Sequence, residues 1–147
     1  YLSGIIAGLK SESDCIGYVA AMPNNEVNRG INAFTLGVRR VNKDADVVVA
    51  WTDAWDDEQA EKEAANKLIE ERGADVLTYH QNQCYVIQAA EEAGVFSIGF
   101  HQQFEGYSDL YLTSAVYDWE SVYKELVREF LKGNENTYNN NFYSLLV

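Results

Sequence analysis

The chain has 147 residues, 23 acidic against 11 basic, and a formal net charge of −12. That length supports one ordinary domain with a core, and that charge argues against nucleic acid as a partner, since phosphate binding needs clustered Lys and Arg. No apolar run reaches the roughly 18 residues of a membrane-spanning helix, and the acidic stretch from Glu58 to Glu71 reads as a solvated helix face.

Tyr1 to Leu9 reads as a helix, broken by Gly8 and the polar run from Lys10 to Asp14. Ile16 to Ala20 is the first strand. Met22-Pro23-Asn24-Asn25 is a turn in which either Asn can cap the next helix. Val27, Ile31, Phe34, Val38 and Val41 recur there at three- and four-residue steps, and the helix ends near Asn42. Val47 to Trp51 is the second strand. Its continuous apolar run predicts burial on both faces, with Trp51 in the core. Asp56 is the expected cap of the following helix, with Gln59 completing a capping box. Ala60, Ala64, Ala65, Leu68 and Ile69 form that helix's inner face, and Gly73 ends it.

Asp75 to Tyr79 is the third strand and His80 to Gln83 the turn after it. Val86, Ile87, Ala90 and Ala93 mark a short helix ended by Gly94. Val95 to Phe100 is the fourth strand, His101 to Asp109 a longer polar loop, and Leu110 to Val116 the fifth strand. Tyr117-Asp118-Trp119 leads into a last helix, with Trp119, Val122, Tyr123, Leu126, Val127, Phe130 and Leu131 expected inward and Gly133 as the stop. The Asn-rich tail from Asn134 reads as loop, and Phe142 to Val147 as an apolar run without a partner. Strands alternating with helices predict an α/β fold: a doubly wound, mostly parallel five-stranded sheet with right-handed crossovers. The expected organisation is one lobe over 1–147: a leading helix and loop (1–14), a sheet-helix core (15–133) and a tail (134–147).

In such a sheet the turns after the strands share the carboxyl edge, where ligands bind. That edge gathers Asn24, Asp53, Trp55, His80, Asn82, His101, Tyr117 and Trp119, which are the candidate ligand-binding residues. Aromatic plates beside a few fixed polar groups suit a small flat polar ligand. Each residue also has a plainer reading: Trp119 as core, the histidines as caps. Trp55 fits the core least, because Asp53, Asp56 and Asp57 keep its turn wet. Both histidines on one edge carry more weight than any single residue.

Other chemistries fail on spacing. No Gly-x-Gly-x-x-Gly follows the first strand, and no Walker loop or Gly-x-Ser-x-Gly elbow is present. The acidic residues of a response-regulator receiver are absent from the corresponding turns. Cys84 has only His80, four residues upstream, as a conceivable base. Cys15 and Cys84 belong on opposite edges of the sheet, so no disulfide is expected, and two Cys with two His make no metal set. No catalytic residue, metal or cofactor is predicted.

With the turns laid out, the chain resembles the basic membrane protein family of ABC-importer substrate-binding lipoproteins, of the purine- and nucleoside-binding kind. The resemblance is carried by an ordered set of segments: Tyr1-Leu-Ser-Gly-Ile-Ile-Ala-Gly-Leu9, Ile16-Gly-Tyr-Val-Ala20, Arg29-Gly-Ile-Asn-Ala-Phe-Thr-Leu-Gly37, Ala64-Ala with Leu68-Ile69, Gly73-Ala-Asp-Val-Leu77, Gln88-Ala-Ala-Glu-Glu-Ala-Gly94 and Leu112-Thr-Ser114. It implies one lobe of a type I periplasmic-binding-protein-like fold, whose other lobe closes over the ligand. It implies a purine base such as adenine, or a nucleoside, as ligand. In the longer protein it implies an ABC permease as partner and a lipid-anchored place outside the cytoplasm. In nucleoside-binding members an aromatic after the second strand stacks on the base, and Trp55 matches it. An Asp after the fourth strand and a Lys after the fifth hold the ribose there; His101 and Tyr117 stand at those positions here. That departure resembles the branch with Trp in the second turn and His after the third and fourth strands, for which a free base is the expected ligand. A sensory domain of the same fold is the alternative expectation. The isolated lobe is expected to self-associate.

Overall fold

The computed structural model describes residues 1–133. Its elements are α1 (Leu2–Lys10), β1 (Cys15–Ala20), α2 (Asn25–Val41), β2 (Asp46–Trp51), α3 (Glu58–Arg72), β3 (Val76–His80), α4 (Tyr85–Ala93), β4 (Phe96–His101), β5 (Tyr111–Val116) and α5 (Trp119–Leu131). Residues 1–115 form one compact unit, and the described residues from 116 onward belong to a second. The tail and the apolar run from Phe142 to Val147 lie outside the described residues.

The five strands form one all-parallel sheet in the order β2-β1-β3-β4-β5. All five residues of the central β3 are buried. One face packs Ile16, Tyr18, Ala20, Val76 and Ile98 against Ala7 of α1 and Val27, Phe34 and Val38 of α2. The other face packs Val19, Leu77 and Tyr79 against Ala64, Ala65 and Leu68 of α3 and Val86, Ile87 and Ala90 of α4. The doubly wound reading of the sequence is therefore the observed architecture.

Several local expectations change. β2 is an edge strand, so it is only half-buried and Trp51 is 39% exposed rather than in the core. An apolar β-branched run reports affinity for a pleated surface, not the number of neighbours. Gly8 does not break α1, which continues to Lys10. Gly4, Gly8 and Gly37 instead bring the α1 and α2 backbones together: a Cβ on Gly4 would lie 2.0 Å from the Phe34 carbonyl oxygen, and one on Gly37 2.0 Å from that of Tyr1. The cap of α3 is Asp57, not Asp56; its carboxylate accepts the Ala60 N–H at 3.0 Å. Gly73 and Gly94 end α3 and α4 in the left-handed region, as expected. In the second unit, α5 buries none of its residues; Trp119 and Leu131 are exposed rather than inward. Amphipathic spacing names the apolar side of a helix, not its cover.

Residues 102–110 return the chain from β4 to β5 without a helix, a short span for a parallel crossover. The loop is less polar inside than its composition suggests. Phe104, Tyr107 and Tyr111 pack ring to ring at 5.8–6.4 Å, and Ser108 binds the Glu91 carboxylate through its amide and hydroxyl at 3.1 and 3.0 Å.

Candidate functional site

The strand order sets where a ligand fits. From β1 the chain crosses to β2 on one side, and then to β3 on β1's other side. The crevice at such a switch point, outside the carboxyl ends of β1 and β3, is the usual ligand position in open α/β sheets. Ala20 and His80 are register partners there, and the Ala21 amide donates to the His80 carbonyl at 3.3 Å.

Trp55 stands beside this crevice in the turn after β2, half-buried against the α2-side core. Its turn is fixed from both sides. The Asn82 amide donates to the Trp55 carbonyl at 2.9 Å, and Gln83 Nε2 donates to the Asp56 carboxylate at 3.1 Å. Thr52 Oγ1 donates to the Ala54 carbonyl at 2.9 Å and accepts Gln81 Nε2 at 2.8 Å. Gln81 is buried, and its carbonyl oxygen has no hydrogen-bond partner. The indole is thus presented by a braced turn.

His80 is not in a turn, as the sequence suggested: it is the last residue of β3 and 4% exposed. The strand runs one residue further because His80 still pairs with Ala20. Its ring lies edge-on to Trp55, with centroids 6.0 Å apart, and 4.2 Å from Phe100. The Phe100 ring lies 4.0 Å from that of His101. Trp55, His80, Phe100 and His101 therefore make a continuous aromatic row along the carboxyl edge. Burial lowers the pKa of both histidines, and the Glu26 carboxylate on the first turn of α2 opposes that shift at each. Both imidazoles are neutral at pH 7. His80 Nδ1 is buried without a hydrogen-bond partner. A Cβ on Gly30 would lie 3.2 Å from that nitrogen, so the missing side chain is what admits the ring against α2.

Asp53 and His101, at the ends of β2 and β4, take positive φ of 57° and 70°. Such conformations are uncommon for residues other than glycine and gather at functional sites. Asn82 is exposed beside Trp55. Asn24 is the cap of α2; its Oδ1 accepts the Glu26 and Val27 amides at 3.0 Å, which leaves its NH2 group as the polar handle. Tyr117 and Trp119 belong to the second unit, where Tyr117, Trp119 and Tyr123 form their own stack at 5.7 and 5.9 Å. Sequence reading missed Phe100, Glu26 and Gly30, and it placed Gln81 in the turn after the third strand without naming it as a candidate. Strand alternation could have flagged Phe100; nothing local marks Gly30.

Cys84 sits half-buried at the N-cap position of α4, with the Tyr107 hydroxyl 3.7 Å and Gln88 Nε2 3.8 Å from its sulfur. Cys15 and Cys84 are both free thiols. Among the described residues no group of His, Cys, Asp and Glu is placed to hold a metal ion, and no helix is long and apolar enough to cross a membrane.

A family model described as "Bmp: ABC transporter substrate-binding protein PnrA-like" matches residues 1–144. A protein of Haloferax volcanii with the provisional name of ABC transporter glucose-binding protein is 41% identical over 137 residues, covering 91% of this chain and 34% of its own length. A purine-binding protein of Brucella abortus is 34% identical over 140 residues, covering 95% of this chain and 40% of its own length. Among solved structures, an ABC transporter solute-binding protein from Conexibacter woesei superposes with a TM-score of 0.72 at 24% identity, over 90% of this chain and 44% of that one. At that identity the likeness concerns the fold. The chain spans less than half the length of each of these relatives.

Proposed function

The chain belongs to the Bmp family of PnrA-like ABC transporter substrate-binding proteins, and on that premise we propose that its carboxyl edge is one wall of a purine site, with Trp55 as a stacking plate. The observation that carries this reading is the half-buried indole on a braced turn, at the head of an aromatic row beside the switch-point crevice. A plate held in place stacks a flat base at little entropic cost. His101, exposed at the other end of the row, reads the polar edge of the base, and Asn82, Asp53 and the Asn24 amide are further polar groups of the same edge. His80 backs the row as a neutral imidazole. The purine-binding Brucella relative supports this ligand class.

The Haloferax relative favours a second reading, a sugar ligand. An aromatic plate serves the apolar face of a pyranose as well as a base. The two differ in what His101 and Asn82 would meet: ring nitrogens and an amino group, or a rim of hydroxyls. In either case the protein binds and delivers without catalysis, hands its ligand to an ABC permease, and works on the outer side of the cell membrane or in the periplasm, held by a lipid anchor. Calorimetry of the complete gene product with adenine, guanine, adenosine, inosine, glucose and ribose tests the choice. The purine reading expects adenine to bind and glucose not to. Glucose binding without any purine overturns it. Nucleosides binding far more tightly than bases would overturn the free-base preference drawn from His101 and Tyr117.

A further inference from the structure

Glu61 is completely buried, on the first turn of α3. Its Oε1 accepts the Asp57 N–H at 3.3 Å, so the side chain reaches back to the turn that carries Trp55. Its Oε2 is buried without a hydrogen-bond partner. We propose that Glu61 is a proton-operated latch on the Trp55 turn: neutral, it holds the turn shut from inside; ionised, it must leave its buried place and lets go of the Asp57 amide.

The surroundings make the two states unequal. Asp56 and Asp57 face Glu61 from the turn, Tyr79 from β3 and Tyr85 from α4. The charged members of that set are both anionic, and the neighbouring Lys62 is paired with Glu58 at 2.8 Å. A buried carboxylate with no cation and one weak hydrogen bond is strongly disfavoured, so the group stays neutral or moves to water. Burial pushes its pKa up to about 7; the Asp57 N–H bond opposes that shift, and the Asp56 and Asp57 carboxylates add to it. The lever is short. Asp57 caps α3, Asp56 is tied to Gln83, and Trp55 hangs from the Asn82 amide. Releasing Asp57 loosens one end of the brace that fixes the indole. The latch thus regulates the edge read above as a purine site, and it rests on that reading only for its effect on a ligand.

The test is an NMR titration of this chain across neutral pH, following the Glu61 side-chain carboxyl carbon, the Asp57 amide and the Trp55 indole N–H. The latch requires one shared midpoint near 7 for all three, and no such transition at Asp57 and Trp55 in Glu61→Gln. The histidines titrate below their ordinary value, on the acid side of this window. The proposal is overturned if Glu61 titrates in the ordinary glutamate range, if it titrates while Asp57 and Trp55 stay still, or if Glu61→Gln keeps the transition. The wild-type titration decides even if the variant folds poorly. A second arm measures adenine affinity of the complete gene product at pH 6 and pH 8: several-fold weaker at pH 8 in wild type, equal in Glu61→Gln. Equal wild-type affinities would remove the latch's role in binding. If adenine fails to bind at both values, the purine reading falls while the latch stands or falls on the shared midpoint.

Discussion

His80 and Glu61 give the same edge of the molecule opposite pH signatures. His80 has a folded pKa below its unfolded value of about 6.5, so its stabilising contribution is present above that value and is lost as pH falls through the folded one. Glu61 has a folded pKa raised from 4.5 to about 7. Its contribution is full below about 4.5, is lost as pH rises to about 7, and stays lost above. At about 1.4 kcal/mol per pKa unit, the loss is at most on the order of 3 kcal/mol. Thermal melts should therefore show Glu61→Gln gaining stability relative to wild type between pH 5 and pH 8; an unchanged difference would mean that Glu61 is solvated. At this scale sequence reading had mixed reach. Trp55 was legible because three aspartates mark its turn as wet. The end of β3 was placed one residue too early, leaving His80 in the turn, because nothing local says where pairing with a neighbour stops. Glu61 was hidden in a run of acidic residues that reads as solvent-facing, since burial depends on the turn folding back over it.

Elements were more legible than their ends. Hydrophobic period and turn residues locate every strand and helix among the described residues to within about two positions, the usual uncertainty of a boundary. Two adjacent aspartates cannot be told apart as caps by residue type. The structure selects Asp57, whose carboxylate reaches Ala60. Asp57→Ala should cost about 1 kcal/mol in a urea titration, the usual loss for a cap. An equal or larger loss from Asp56→Ala would contradict the assignment. The α1–α2 contact was misread because a helical glycine looks like a break unless its neighbour is known. Gly37→Ala gains about 1 kcal/mol of helix propensity, but its Cβ would meet the Tyr1 carbonyl oxygen at 2.0 Å. Backbone against backbone has no flexible end to yield, so the net effect should be a loss of about 1–3 kcal/mol, the range for overpacking. A neutral or stabilising result would mean that α1 is free to shift.

At the scale of the whole molecule, the alternation of strands and helices made the parallel sheet and its carboxyl edge readable before any contact was known. The cover over α5 was not, because tertiary partners leave no local mark. Leu9 and Leu36 in the first unit, and Phe130 and Leu131 on α5, are each more than 60% exposed. Large apolar groups left bare favour association. Light scattering of this chain should give a mass above the monomer at high concentration, and a clean monomer would contradict that. The central claim concerns Trp55. Base stacking on an aromatic plate is worth roughly 1–3 kcal/mol by alanine substitution, so Trp55→Ala should weaken adenine binding about 5- to 150-fold. The direct measurement is the adenine dissociation constant of the complete gene product, wild type against Trp55→Ala, by calorimetry. The predicted result is a loss within that range, read at a temperature where the variant is folded. Adenine bound as tightly by Trp55→Ala as by wild type, or by neither, would contradict it.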